Sequence, residues 1–276
     1  MQDGFDCILQ YLYEKRKYDF QGNHPEMVLR RMNKRIYKTH TGSVEAYYEY
    51  LISNPAEMNE LINVLTINVS SFFRNPIVFE NIQTLVYNFI LEKLQHHDHI
   101  LRIWSAGCSR GEEPYSIAIL LRELRKKISE EKMLMGIFAS DIDNQALAQA
   151  KIGHYHAKSL HDVKFGFVHT YFTQSGNTYF IADTIRKMVN FSYYDLLDKH
   201  SFVPPESAFC DFDVVLCRNV LIYFNPAYQD IIFKKLYRSL HVGGYLVLGE
   251  AEVPIKKYKS LFNRVTPCCK IYQKIS

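Results

Sequence analysis

The spacing of apolar and polar residues divides the chain into an all-helical part and a part in which strands and helices alternate. Before residue 66 the apolar positions recur at helical intervals, and Ser43 and Pro55 each stand where a helix would begin. These signals predict helices at residues 7–18, 25–37, 44–52 and 56–68, and a longer one at 79–94. We therefore expect a small all-helical domain at residues 1–66 and a connecting segment with its helix at 67–99.

From residue 100 the pattern is that of a doubly wound α/β sheet. Strands are predicted at residues 100–104, 135–140, 188–192, 213–217, 244–249 and 270–273, and helices at 113–127, 144–151, 226–240 and 258–261. The alternation is interrupted at about 153–190, where two strand-like runs, residues 171–173 and 178–181, flank Ser175, Gly176 and Asn177. We expect one α/β domain over 100–276 with a small antiparallel β insertion.

The loop after the first predicted strand indicates a cofactor site. Gly107 and Gly111 lie between that strand and a helix, the order that places a nucleotide-like cofactor over a helix N-terminus. Glu112 and Glu113 begin the helix, where they would repel a diphosphate and attract a cation. S-adenosylmethionine (SAM) has no phosphate and carries a sulfonium and an ammonium group, so the loop predicts a SAM site.

Acidic residues follow two further strands. Asp141, at the end of the second strand, is placed to accept the ribose hydroxyls; it lies further from the glycines than in the dinucleotide pattern, which weakens that alternative. Asp143 competes for this role, but its position favours an N-cap of the helix at 144–151. Asp195 either accepts a hydrogen bond from the adenine amine or caps its own loop, and the residues alone leave both open.

Composition is that of an ordinary globular protein, with 276 residues of which 47% are apolar and 22% charged. No apolar run approaches the roughly 18–20 residues that span a bilayer, and acids stand where a signal peptide would be basic. The six cysteines form no C-x-x-C pair. We expect a cytoplasmic protein with free thiols that is not embedded in a membrane. No metal is expected, because neither Cys268–Cys269 nor the histidines at 96–99 have a suitable ligand spacing.

The net charge of +4 is unevenly distributed. Arg30, Lys34 and Lys38 recur every four residues with Arg31 and Arg35 beside them, which on a helix gives one basic stripe. Such a stripe is either a solvated helix face or a docking surface for an acidic partner, and the sequence favours neither.

Four motifs follow one another along the chain: residues 68–74 (NVSSFFR), 104–116 (WSAGCSRGEEPYS), 139–143 (ASDID) and 217–224 (CRNVLIYF). In this order they resemble the CheR family of chemotaxis receptor methyltransferases, which methylate glutamate side chains of receptors with SAM. The resemblance covers nearly the whole chain and implies a Rossmann-like class I methyltransferase domain. Arg110 departs from the small hydroxylated residue usual in the glycine loop, and Asp195 from a common Asn.

The resemblance implies a role for each matching position. The connecting segment would close over the cofactor, the glycine loop would pass under the methionine moiety, and Glu113 would hold its ammonium. Asp141 would bind the ribose. The implied cofactor-binding residues are Asn68, Ser70, Arg74, Ala106, Gly107, Glu113, Asp141, Asp195, Leu196, Arg218 and Asn219. Arg74 and Tyr223 would act at the methyl-transfer point, and the product would be S-adenosylhomocysteine.

The implied partners are the cytoplasmic domains of membrane chemotaxis receptors, with the stripe Arg30, Arg31, Lys34, Arg35 and Lys38 as the docking surface. Some members of the family grip a tethering peptide of the receptor with the β insertion, and the hairpin around 175–177 in this chain is short. No RNA-binding motif is present, and no nucleic-acid partner is expected. Two alternatives stay open: a SAM methyltransferase acting on a small acid or RNA, and a SAM- or nucleotide-sensing signalling protein without turnover.

Overall fold

A computed structural model describes residues 2–16, 18–66, 70–128, 133–198, 200–205, 207 and 211–275. The chain divides into two compact units. The first contains residues 1–68 and 222–229, and the second contains residues 69–221 and 230–276. The segment 222–229, which the sequence pattern assigned to the α/β domain, thus groups with the N-terminal helices.

Between residues 2 and 66, the described part of the first unit contains the helices α1 (Gln2–Arg16), α2 (Pro25–Thr39), α3 (Val44–Ser53) and α4 (Pro55–Leu65). Their apolar faces enclose a core in which Ile8, Leu12, Met32, Leu51 and Leu61 are fully buried. The Ser43 hydroxyl caps α3 by accepting the N–H of Ala46 at 3.1 Å, as the sequence predicts. The segment 222–229 is held to this unit by a bridge between Asn23 and Phe224.

The predicted basic stripe is wrong at Arg35. The side chain of Arg35 is buried, and its Nε donates to Oε1 of Glu57 at 2.8 Å, an oxygen that also accepts the hydroxyl of Tyr47. Arg31 is half-buried and donates to the carbonyl of Val64 at 2.7 Å. Successive helical residues point about 100° apart, so neighbours of the stripe turn toward the core. Arg30, Lys34 and Lys38 are the exposed members.

A mostly parallel sheet forms the centre of the second unit. In the described residues its strands are β1 (Ile100–Ala106), β2 (Leu134–Asp141), β6 (Val189–Tyr193), β7 (Phe212–Cys217), β8 (Leu240–Leu248), β9 (Phe262–Arg264) and β10 (Ile271–Lys274). The spatial order is β6-β2-β1-β7-β8-β10-β9, with β10 antiparallel to both of its neighbours. Helix α5 (Pro76–Gln95) precedes β1, and the helices α6 (Glu112–Lys127), α7 (Asn144–Ile152) and α10 (Pro226–Ser239) follow β1, β2 and β7. The fold-class prediction is confirmed.

A second sheet forms the predicted β insertion. It contains β3 (His154–His156), β5 (Thr178–Ile181) and β4 (Phe172–Ser175) in that spatial order, all antiparallel. The sequence pattern missed β3, which is three residues long, and placed Tyr171 in a strand. Tyr171 instead ends the short helix α8 (Phe165–Tyr171), and a turn of helix, α9 (Asp183–Arg186), leads out of the insertion. Within the described residues, no helix is long and apolar enough to cross a membrane.

Candidate cofactor site

The carboxyl ends of four neighbouring parallel strands bring the predicted cofactor residues to one edge of the sheet. Ala106 at the end of β1 pairs with Ser140 of β2, and Asp141 pairs with Tyr193 at the end of β6. On the other side of β1, Ser105 pairs with Leu216 of β7. Ligands of doubly wound sheets bind at this edge, where the strand order reverses.

The glycine loop follows β1 in the predicted conformation. Gly107 has a φ of 74°, and a Cβ there would lie 2.5 Å from Cγ2 of Val220, so a larger residue would push the turn after β7 away. The N–H groups of Gly107 and Cys108 both donate to the carbonyl of Ser140, at 2.8 and 3.0 Å. The loop is therefore fixed to the end of β2 as well as to β1.

Glu113, in the first turn of α6, presents a carboxylate that is already held in place. Its Oε1 accepts the hydroxyl of Ser105 at 2.8 Å, and its Oε2 lies 3.2 Å from Nη1 of Arg218. The side chain is 14% exposed, so it is accessible while being oriented on both sides. This geometry suits an acceptor for a ligand cation.

Glu112 behaves differently from its neighbour, against the expectation that both carboxylates face the ligand. It is only 2% exposed, and burial raises the pKa of its carboxyl, while a hydrogen bond from Ser70 favours the charged form. Its Oε2 has no hydrogen-bond partner in the described part of the chain. Of the two carboxylates, that of Glu113 is therefore the one that a ligand can reach.

Arg218 is buried rather than lining an open cleft. Besides Glu113, its guanidinium contacts the carbonyl of Arg74 through Nη2 at 2.8 Å and lies over the ring of Phe79 at 5.3 Å. Arg218 follows β7, so this one side chain joins β7, the start of α6 and the segment before α5. Its guanidinium therefore holds the carboxylate of Glu113 and the backbone at Arg74 together.

Asp141 occupies the predicted position after β2. Its Oδ2 accepts the N–H of Ser109 at 2.7 Å and its Oδ1 accepts the N–H of Asp143 at 2.9 Å. Burial raises the pKa of the carboxyl to about 6, although the backbone donors favour the charged form. Asp143 is the N-cap of α7, as predicted, because its Oδ1 accepts the N–H groups of Gln145 and Ala146.

The segment after β6 contains Asp195 and Leu196. Asp195 closes its own loop by accepting the N–H of Leu197 at 2.8 Å, and Leu196 is buried. The backbone beside them is held by Lys235 of α10, a buried lysine whose pKa is lowered by burial. Its Nζ lies 3.0 Å from the hydroxyl of Tyr194 and 3.5 Å from the carbonyl of Asp195.

Asn219 lies in a turn with a left-handed backbone conformation, which the carboxylate of Glu252 stabilises. Its φ is 58°, in the left-handed region, and its N–H donates to Oε2 of Glu252 at 2.9 Å. The same buried carboxylate accepts the N–H of Val220 at 2.9 Å and that of Gly249 at 2.7 Å. Sequence reasoning missed Glu252 and Lys235. Glu252 follows the end of β8, so the rule that identified Asp141 could have identified it.

The connecting segment lies against the start of α6. The N–H of Phe73 donates to the hydroxyl of Ser116 at 2.9 Å, and Ser70 contacts Glu112 as described above. Arg74 is half-buried. Asn68, the remaining residue predicted here, lies outside the described residues.

Tyr223 belongs to the first compact unit, with residues 1–68. Its backbone carbonyl accepts the N–H of His24 at 3.1 Å, and it ends a short 3₁₀ turn, Leu221–Tyr223. Its predicted part in methyl transfer stays a prediction.

The groups at the sheet edge fit SAM. The carboxylate of Glu113 suits an ammonium, and that of Asp141 suits a pair of hydroxyls. A carboxylate offers about four acceptor positions. Glu113 uses two of them in the contacts described above, and Asp141 uses three, because it also accepts a backbone hydrogen bond from Ile142. Both therefore keep capacity for a ligand, whereas a diphosphate would meet negative charge at the helix start.

Models of both domains of one protein family match the chain. The CheR methyltransferase all-alpha domain matches residues 3–66, and the CheR methyltransferase SAM-binding domain matches residues 68–267. These matches confirm SAM as the cofactor.

Curated relatives and a solved structure were also compared. A chemotaxis protein methyltransferase of Listeria monocytogenes is 34% identical over 206 residues, which are 75% of this chain and 73% of the relative. Chemotaxis protein methyltransferase 2 of Vibrio cholerae is 32% identical over 257 residues, 92% of this chain and 86% of the relative. A TehB-like SAM-dependent methyltransferase from Corynebacterium glutamicum aligns with 72% of this chain and 100% of its own, at 12% identity and with a TM-score of 0.37. The two family models and the length of these matches show that the chain belongs to the CheR family of SAM-dependent methyltransferases.

Proposed function

We propose that this protein methylates glutamate side chains of chemotaxis receptors, giving glutamate methyl esters and S-adenosylhomocysteine. The observation that carries the proposal is the oriented carboxylate of Glu113 at the start of α6, in a chain that belongs to a methyltransferase family. The names of the Listeria and Vibrio relatives support a role in chemotaxis.

SAM, when bound, supplies an electrophilic methyl group on a sulfonium. The residues proposed to hold it are those at the sheet edge: Glu113 for the ammonium, Asp141 for the ribose hydroxyls, and Asp195 with Leu196 for the adenine. Ala106 and Gly107 would pass beneath the methionine moiety. Asn68, Ser70, Arg218 and Asn219 complete the proposed set, with Arg218 acting through Glu113.

The substrate side of the reaction needs no strong base. A glutamate carboxylate has an ordinary pKa near 4.3 and is ionised at neutral pH, so no proton has to be removed before it attacks. The protein then contributes alignment and partial removal of water around that carboxylate. We assign Arg74 to positioning, because a close bidentate pair would also reduce the nucleophilicity of the carboxylate. Tyr223 is proposed as a hydrogen-bond donor at the transfer point.

Receptor docking is assigned to the exposed charges of α2. Arg30, Lys34 and Lys38 share one face, and within the described residues none of them forms an ion pair. A receptor surface rich in glutamates would be attracted to this face, and the attraction would weaken with salt.

Incubation of the protein with methyl-labelled SAM and receptor-rich membranes tests the proposal. We expect label on a membrane protein that is released by mild base, as a carboxyl methyl ester is. Arg74→Ala should remove most of the label, and Arg122→Lys, an exposed change on α6, should not. Label on RNA or on a small acid would favour another methyltransferase substrate. No label with intact SAM binding would favour a cofactor-sensing protein.

A further inference from the structure

The turn between β9 and β10 holds two adjacent cysteines that the cofactor site does not use. Cys268 is exposed and Cys269 is buried, and their Sγ atoms lie 3.6 Å apart. Both thiols are free. The arrangement pairs a sulfur that solvent reaches with one that solvent does not.

Hydrogen-bond donors surround the exposed sulfur. The hydroxyl of Thr266 lies 2.9 Å from Sγ of Cys268, and Nδ2 of Asn81 on α5 lies 3.8 Å from Sγ of Cys268 and 3.6 Å from that of Cys269. The Thr266 contact, followed by that from Cys269, lowers the pKa of the Cys268 thiol. Burial raises the pKa of the Cys269 thiol to about 11. Cys268 is therefore the better nucleophile, and the thiol of Cys269 stays protonated at neutral pH.

We propose that Cys268 and Cys269 form a thiol oxidation site, in which Cys268 reacts with a hydroperoxide and Cys269 resolves the product as a vicinal disulfide. An exposed thiol of lowered pKa beside a buried thiol is the arrangement of redox-active cysteines that have a resolving partner. The proposal does not rest on the proposed methyl transfer.

The reaction balances in two steps. The Cys268 thiolate attacks a peroxide oxygen, the O–O bond breaks, and the leaving oxygen takes a proton to become an alcohol or water. Cys268 is thereby oxidised by two electrons to a sulfenic acid. Sγ of Cys269 then attacks Sγ of Cys268, an S–S bond forms, and the sulfenic oxygen leaves as water with the Cys269 proton. The hydroperoxide is the species reduced.

The disulfide should be easy to reverse. Neighbouring Cα atoms are about 3.8 Å apart across a trans peptide, closer than the roughly 4.4–6.8 Å of ordinary disulfides. A bond closed over this distance is strained, and strained or exposed disulfides are the readily reduced ones. A dithiol reductant should therefore restore both thiols.

Peptide mass spectrometry on the full chain tests the site. Trypsin cleaves after Arg264 and Lys270, which isolates both cysteines in the peptide VTPCCK. We expect hydrogen peroxide, applied after reductant is removed, to lower the mass of this peptide by about 2 Da, the two hydrogens lost. Dithiothreitol should reverse the change. A peptide that stays unmodified, or that gains oxygen without forming the disulfide, would overturn the proposal.

Three variants separate the roles of the two sulfurs. Cys269→Ser should let a Cys268 sulfenic acid persist, so that a 1,3-diketone reagent traps it on the peptide. Cys268→Ser should leave the peptide unoxidised at the same peroxide dose. Cys7→Ser removes an exposed cysteine of α1 and should change nothing. S-adenosylhomocysteine binding by each variant checks that it is folded. Oxidation of Cys7 as fast as Cys268 in the wild type would contradict the assignment.

Discussion

The carboxylate of Glu252 holds Asn219 in its left-handed turn, with Oε2 accepting the Asn219 N–H at 2.9 Å. The contact joins the ends of β7 and β8, because Glu252 also accepts the N–H of Gly249. Val220, the third donor, packs on Gly107 of the glycine loop. One buried acid outside all the family motifs therefore fixes the turn that carries two proposed cofactor residues.

We expect Glu252→Gln to weaken SAM binding about tenfold or more. The amide has one acceptor oxygen and would turn its NH₂ group toward a backbone N–H, and hydrogen bonds to charged groups contribute roughly 1.5–3 kcal/mol each. Calorimetry with S-adenosylhomocysteine measures the loss. Glu92→Gln, the same change at an exposed position of α5, is the control. Equal affinity in the Glu252 and Glu92 variants would show that the turn is held without this carboxylate.

The difference between Asp141 and Glu252 shows what the sequence could predict. Asp141 ends a strand directly after the glycine loop, so strand order alone places it at the ligand edge. Glu252 also follows a strand, β8, so its place at this edge could be predicted, but its contact with Asn219 could not. The two residues are 33 positions apart, and the donor is a backbone N–H, which leaves no pattern in the sequence. The fold class and the strands followed from periodicity, whereas a contact between two distant loops required the coordinates.

The basic residues of α2 show a second limit. A four-residue spacing predicted the shared face of Arg30, Lys34 and Lys38, and all three are exposed. Arg35 was assigned to that face because it is adjacent in sequence, yet it is buried against Glu57 on α4. The charge of a residue does not show whether it is exposed or buried. An arginine can be buried only where another part of the fold supplies a carboxylate, and the sequence of α2 alone does not contain that information.

Arg218→Lys should lower SAM affinity about 10- to 100-fold. A lysine has a single ammonium and cannot contact both the Glu113 carboxylate and the Arg74 carbonyl, which the guanidinium reaches through separate nitrogens. The estimate follows from the roughly 1.5–3 kcal/mol of a hydrogen bond to a charged group. Binding of S-adenosylhomocysteine is compared with Arg122→Lys, an exposed control. If the Arg218→Lys variant binds as tightly as the wild type, Arg218 has no positioning role.

Cofactor binding should depend on pH through Asp141. Its pKa of about 6 in the unliganded protein means that the carboxyl is protonated below pH 6 and is then a poorer acceptor for ribose hydroxyls. S-adenosylhomocysteine affinity should rise up to tenfold per pH unit below 6 and level off above it. Asp141→Asn should bind weakly with no such rise. A wild-type affinity that is constant between pH 5 and 8 would contradict this assignment.

Ionisation of the Asp141 carboxyl should strengthen cofactor binding but lower the stability of the folded protein. The folded pKa of about 6 exceeds the unfolded value near 3.9, so the folded state binds more protons between these values. Ionisation therefore reduces the free energy of unfolding as pH rises from about 4 to 6, by up to about 3 kcal/mol. Denaturant unfolding should show this fall in the wild type and in Asp6→Asn, an exposed control, and a smaller fall in Asp141→Asn, where the buried carboxyl of Glu112 still contributes. An undiminished fall in Asp141→Asn would assign the effect to another group.

Replacing Arg30, Lys34 and Lys38 with Glu should raise the apparent KM for receptor about tenfold or more while SAM affinity stays unchanged. The three charges lie on the exposed face of α2, opposite the buried Val28 and Met32, so the change leaves the core of the first unit intact. Exposed charges act over about 8 Å at physiological salt, so wild-type methylation should also fall as salt is added.

The matched control reverses Lys256, Lys257 and Lys259, three exposed lysines of the second unit, and changes the net charge by the same amount. If both triple variants slow methylation equally, net charge alone explains the effect. If the α2 variant matches the wild type at low salt, this face is solvated and receptor docking lies elsewhere, with the small sheet of the β insertion as the next surface to test.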